Sequence, residues 1–96
     1  MPSSELSVMF CYVYVLRSTI KEHYYVGFTQ DLNKRIAEHN NGLSFSTSPY
    51  APWELIYYEA HLNKEDASRR EKYLKTTAGK QALNKMLRKK MMELKT

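Results

Sequence analysis

Two tyrosines, an arginine, a histidine and a glutamate carry the chemistry this sequence could perform. Tyr14 lies in the run Met9 to Leu16 and Tyr25 in the run His23 to Phe28; Arg35 and His39 follow four residues apart, and Glu71 comes later in RREKYLK. Residues four apart on a helix share a face, so Arg35 and His39 can point at one locus. With Leu32 at zero on a helical wheel, Ile36 falls at about +40°, Arg35 at about −60° and His39 at about −20°. A guanidinium and an imidazole thus share the apolar face, and burying the guanidinium is costly unless an anion meets it. A second wheel, with Ala67 at zero, puts Leu74 at about −20° and Glu71 at about +40°, so a carboxylate also sits among apolar contacts. Two arrangements satisfy these groups. Either Arg35 and Glu71 pair across the core, or Glu71 holds a divalent ion through oxygen while Arg35 meets a phosphate. Two phenols on adjacent strands would complete a set suited to phosphodiester hydrolysis.

The elements that must position these residues are legible in the patterning. MFCYVYVL is a continuous apolar and aromatic run, read as a strand covered on both faces, with Tyr12, Tyr14 and Leu16 on one face and Val13 and Val15 on the other. The polar stretch Arg17 to Glu22 ends it, and the second strand, His23 to Phe28, follows closely enough for an antiparallel hairpin. A first helix starts near Thr29 or Gln30, with Asp31 in its first turn and Asn41-Gly42 as its stop. LSFSTSPYAP reads as a loop and WELIYYEA, from Trp53 to Ala60, as a third strand. Asn63 caps a second helix that runs to about Thr76, with Leu62 stapled onto Ala67. Gly79 marks a break, and Leu83, Met86, Leu87, Met91 and Leu94 recur at helical spacing in a third helix. The expected class is α+β: a three-stranded antiparallel sheet flanked by about three helices, in one domain over residues 9–92 after a disordered segment 1–8.

Composition removes other classes. A chain of 96 residues has room for one modest core and no second folded unit. No apolar run approaches the ~20 residues that span a bilayer, and a cytoplasmic protein without membrane contact is expected. One cysteine, Cys11, excludes a disulfide framework and a cysteine zinc site, and reads as a small buried hydrophobe. Charge is uneven: residues 75–96 carry seven Lys/Arg against one acid, within a net charge of +5. Lys80, Lys85, Arg88 and Lys89, on the exposed side of the third helix, are candidate contacts to a DNA backbone, with ordinary solvated lysines as the plain alternative. The loop between Gly42 and Trp53 has no Lys or Arg and is not expected to be a major DNA contact. His23 and His61, at strand edges, read as structural or solvated.

The ordered set resembles a known signature. Tyr12-Val13-Tyr14, then Tyr25-Val26-Gly27, Arg35 eight residues after the glycine, His39 four further on and an acid in RREKYLK resemble the GIY-YIG nuclease superfamily. YVGFTQDLNKRIAEHNNG followed by ELIYYE is similar to its small stand-alone, UPF0213-like members and to the N-terminal domain of the excision-repair nuclease C subunit. The resemblance implies magnesium- or manganese-dependent cleavage of DNA, in repair or recombination, by a monomer that is nucleoid-associated if bacterial. It implies roles for Tyr14, Tyr25, Arg35 and His39, a structural glycine at Gly27, a metal-binding carboxylate at Glu71, and a late asparagine matched by Asn84. Glu71 would hold the ion on a phosphate oxygen, Arg35 would stabilise the pentacovalent phosphorus, and Tyr14 or Tyr25 would activate the water. Two departures stand out: Tyr12 replaces the eponymous glycine, and Phe28 stands where some relatives place a lysine. A protein partner would supply specificity. The rival readings are a nucleic-acid-binding module without turnover and a protein–protein adaptor.

Overall fold

The computed structural model describes residues 9–94; the segment 1–8, expected to be disordered, lies outside the described residues. Among the described residues the order is β1 (Cys11–Ser18), β2 (Tyr24–Thr29), α1 (Leu32–Asn40), a 3-10 turn (Ser48–Tyr50), β3 (Trp53–His61), α2 (Lys64–Leu74), α3 (Thr77–Met86) and α4 (Arg88–Leu94). The strands form one antiparallel sheet in the order β2-β1-β3, the α+β arrangement expected, with four helices instead of three. β1 is central because its run of apolar residues has no polar face to leave in water.

Strand alternation divides the core in two. Val13 and Val15 of β1 pack with Val26, Ile56, Ala67, Leu74 and Leu83. Tyr14 and Leu16 point the other way and pack with Trp53, Tyr25, Leu32 and Ile36. The β1–β3 pairing carries an irregularity: Val15 faces Tyr57 and Leu16 faces Leu55, leaving Ile56 without a partner. Ile56 and Tyr57 therefore both join the Val13 and Val15 side, as a β-bulge allows.

The helix termini correct several expectations. Asp31 is the N-cap of α1 and not a first-turn residue, accepting from the backbone N–H of Lys34 at 3.2 Å. Asn63 caps α2 as expected, accepting from Glu65 and Asp66 at 2.8 and 3.2 Å. Leu62 is exposed and makes no staple. Gly79 does not break a helix; it lies inside α3, whose N-cap is Thr76. A Cβ on Gly79 would overlap the carbonyl of Tyr73, so this glycine lets α3 start against the end of α2. The break between α2 and α3 falls instead at Lys75 and Thr76, and a further interruption at Leu87, the C-cap of α3, splits the expected third helix into α3 and α4. Leu83 is buried and Leu87, Met91 and Leu94 pack on the core, while Met86 turns to solvent.

Candidate active site

Gly27 faces Tyr14 directly across the hairpin. A Cβ on Gly27 would overlap the Cζ and hydroxyl of Tyr14, so the phenol crosses the bare backbone of the neighbouring strand. Tyr14 is only 1% exposed, and its hydroxyl ends 2.8 Å from Nε2 of His39. His39, in the last turn of α1, is fully buried, and its Nδ1 lies 2.8 Å from Oγ1 of Thr47. The Thr47 hydroxyl donates to the carbonyl of Ser44 at 3.3 Å, so it accepts from Nδ1–H, which leaves Nε2 to accept from Tyr14. A directed chain of donors runs from Tyr14 through His39 and Thr47 to a backbone carbonyl.

Electrostatics fix the resting protonation of this chain. Burial holds the His39 pKa below its ordinary 6.5, the Arg35 cation adds to the effect, and Glu38 opposes it, so the imidazole is neutral at physiological pH. Burial also pushes the Tyr14 phenol up to about 12, aided by Tyr25 and by the Glu71 carboxylate, while Arg35 works the other way. The charges of Arg35 and, more weakly, Glu71 thus both act on the Tyr14 phenol. Tyr25 is half-buried beside them, its ring 6.2 Å from that of Tyr14 and 5.0 Å from that of His39.

The ion pairs differ from the sequence-based alternatives. Arg35 and Glu71 do not pair across the core. Arg35 Nη1 bonds Glu38 at 3.0 Å and Nη2 bonds the Ser44 hydroxyl at 3.5 Å. Glu71, with its side chain 20% exposed, pairs at 3.0 Å with the more exposed Lys75. Ser44, Thr47 and Lys75 were not foreseen. A loop with several hydroxyl residues gives no signal that singles out the one reaching a buried histidine.

Asn84 and Lys80 stand apart from the Tyr14–His39 chain. They line an open cleft of about 480 Å³ between the β2 edge and α3 and α4, floored by Val15, Val26, Leu83 and Met91. Tyr25 and Lys75 line the same cleft, which makes it continuous with the candidate site. Lys85 in α3 and Arg88 and Lys89 in α4 are exposed.

A second polar cluster lies on the other side of the sheet. Glu59 accepts from Tyr57 at 2.6 Å, from His61 at 2.6 Å and from Nε of Arg70 at 3.0 Å. Burial alone would raise the Glu59 pKa, but those three donors bring it below the ordinary carboxylate value. His61 is thus a structural partner, while the exposed His23 stacks on Tyr50 at 3.9 Å. Cys11 is buried, as its setting suggested.

The donor set bears on the expected metal ion. Among the described residues no group of three or more His, Cys, Asp or Glu side chains could enclose an ion. Glu71 offers one partly buried carboxylate, whose charge acts on Tyr14. Magnesium keeps several waters and takes one or two carboxylates together with substrate phosphate, so this set fits it and would not fit a closed structural site.

Residues 10–86 match the model of the GIY-YIG catalytic domain. The chain belongs to this family. GIY-YIG domains form a nuclease family, and a nuclease-like role follows from membership. The chain is 39% identical over 83 residues to a UPF0213 protein of Clostridium perfringens, covering 85% of this chain and 88% of that one. It is 42% identical over 65 residues to a UPF0213 protein of Streptococcus pyogenes, covering 67% and 70%. The solution NMR structure of a UPF0213 protein from Bacillus halodurans superposes with a TM-score of 0.52 at 31% identity, covering 81% of this chain and 85% of that one. Among the described residues no helix is long and apolar enough to cross a membrane.

Proposed function

We propose that this GIY-YIG domain is a divalent-metal-dependent DNA endonuclease whose reacting groups are Tyr14, Tyr25, Arg35, His39 and Glu71. The observation that carries the reading is the directed hydrogen-bond chain from Tyr14 to a neutral, buried His39, with the Arg35 and Glu71 charges acting on the same phenol. A core that needed only packing would gain nothing from such a chain, because every polar group in it must be desolvated and then satisfied.

Each residue has a task that follows from its setting. With a pKa of about 12, Tyr14 is protonated at neutral pH and cannot wait as a phenolate. It passes its own proton to Nε2 of His39 as its oxygen takes one from the attacking water, so the proton has an outlet at each stage. The water oxygen then bonds to phosphorus as the bond to the leaving sugar oxygen breaks; that oxygen takes a proton from solvent water, and the proton stored on His39 returns through Tyr14 to solvent, which restores both groups. Arg35 meets the charge that develops on the phosphoryl oxygens, having its other donors held by Glu38 and Ser44. Tyr25, half-buried at the mouth, orients the water. Glu71 would hold a magnesium or manganese ion, which when bound neutralises phosphate charge. Lys80, Lys85, Arg88 and Lys89 offer salt-sensitive backbone contacts, and Asn84 an amide within the adjoining cleft. Repair or recombination, with a protein partner supplying specificity, is the setting this reading suggests.

Supercoiled and branched DNA incubated with magnesium and either wild type or Glu71→Ala tests the proposal. Cutting is expected to fall more than about 100-fold in the variant with binding retained. Binding by the wild type without any cutting would leave a nucleic-acid-binding module, and neither activity would leave an adaptor.

A further inference from the structure

The loop between α1 and β3 exposes apolar side chains where a folded surface has no use for them. Phe45 is 95% exposed and Leu43 is 72% exposed. Between them stands Ser44, whose hydroxyl is bonded by Arg35 and whose carbonyl accepts from Thr47, the partner of His39. The loop backbone is tied down at both ends. Leu43 N–H donates to the Glu38 carbonyl at 3.0 Å, and Thr47 and Ser48 N–H donate to the Ser44 carbonyl at 3.2 and 2.9 Å. The backbone that carries Phe45 is therefore a pinned turn.

Position decides what such a ring could meet. Consecutive Cα atoms are about 3.8 Å apart, so Phe45 lies within about one nucleotide's reach of the Arg35 guanidinium. A phosphate held by Arg35 brings its flanking bases to this loop. With no Lys or Arg from Leu43 to Pro52, the loop has no cation to offer a phosphate, and its most exposed side chains, Phe45 and Leu43, present an aromatic face and an aliphatic side chain to a strand. The flat face of a nucleobase matches that surface, because every base has a π-face and stacking tolerates sequence.

We propose that Phe45, supported by Leu43, is a stacking platform for the nucleobase next to the phosphate bound by Arg35. This rests on the nuclease reading above and adds to it a substrate contact on an uncharged loop. The contact selects positions where that base can leave its neighbours, since a base held between two others has no free face.

Oligonucleotides carrying one 2-aminopurine at successive positions, mixed with the protein in EDTA, read the contact directly. Wild type and Phe45→Trp should quench the fluorophore at one position beside the cut site. Phe45→Leu, which keeps apolar area but lacks a π-face, should lose that quench and bind about tenfold more weakly, with an unchanged melting temperature. If Phe45→Leu quenches and binds like wild type, while wild type still cuts once magnesium is restored, the platform is wrong and the nuclease reading survives. If wild type neither binds nor cuts, both fall together. A change confined to sedimentation, from dimer to monomer in Phe45→Leu, would assign the patch to self-association and overturn the proposal.

Discussion

The two sides of the sheet hold polar clusters built from the same residue types, and they are wired in opposite ways. On the β3 and α2 side, Glu59 draws in Tyr57, His61 and Arg70. On the α1 side, Tyr14, Tyr25, Arg35 and His39 gather with Glu71 in reach, yet no carboxylate bonds either of these phenols, and Glu71 is held by a half-exposed lysine. The first cluster is closed: its charges cancel and its donors converge on one carboxylate, so it clasps α2 to β3. The second has a hydrogen-bond path inward from Tyr14, and its cation and anion do not cancel each other but pair with separate, partly exposed partners, Arg35 with Glu38 and Glu71 with Lys75. Residue type alone would not have told them apart; where the hydrogen bonds end does.

The largest expected difference comes from touching the open cluster through its backbone. Gly27→Ala forces the buried Tyr14 ring off its course, and overpacking of this kind costs about 2 kcal/mol, or about 10 °C in melting temperature. Cleavage should fall about 100-fold, because small misplacements of a reacting group are costly. Calorimetry and a nicking assay on the same sample check both, and a fully active variant would detach Tyr14 from the chemistry.

The next effect is in pH. The relay needs His39 neutral, and its pKa is lowered, so cleavage should climb as pH rises through a midpoint below 6.5 and then level off. The stability linked to His39 has the same sign: it is complete above 6.5, the unfolded value, and is lost as pH falls through the lower folded value. A rate profile between pH 4.5 and 8 should show this limb, and His39→Gln should lose it. A limb that persisted in the variant would assign the titration elsewhere.

The smallest change in activity is expected from the closed cluster. Glu59→Gln strips charge from a partly exposed pair, a loss of about 1 kcal/mol that lowers the melting temperature by about 4–8 °C. Cutting by the folded protein should change by less than about threefold, equivalent to about 0.6 kcal/mol in the barrier. A larger loss of turnover would merge the two clusters into one functional unit and erase the contrast.

What the sequence revealed follows the range of the interactions involved. The three antiparallel strands rest on period and spacing, and the structure agrees; the same period puts Arg35 and His39 on one face of α1 and leaves Glu71 partly buried on α2. Thr47 escaped notice because its partner lies across a turn whose hydroxyl residues look alike. The pairing of Arg35 with Glu38, and of Glu71 with Lys75, depended on rotamers that no wheel fixes. Gly79 was read as a breaker because glycine disfavours helices, whereas the close approach of Tyr73 made its missing side chain a requirement. The uncharged loop was set aside for want of cations, and the pinned turn under Phe45 became visible only with coordinates.

The crossing of Tyr14 over Gly27 has one more consequence. Were the hairpin to zip two residues out of step, every side chain would keep its proper face, yet Tyr14 would meet Tyr25 or Thr29, and their β-carbons would bar the ring. Under the proposed chemistry, competence to cut would in this way be proofread by strand pairing, and a mis-zipped molecule would be inert toward a genome instead of loose upon it.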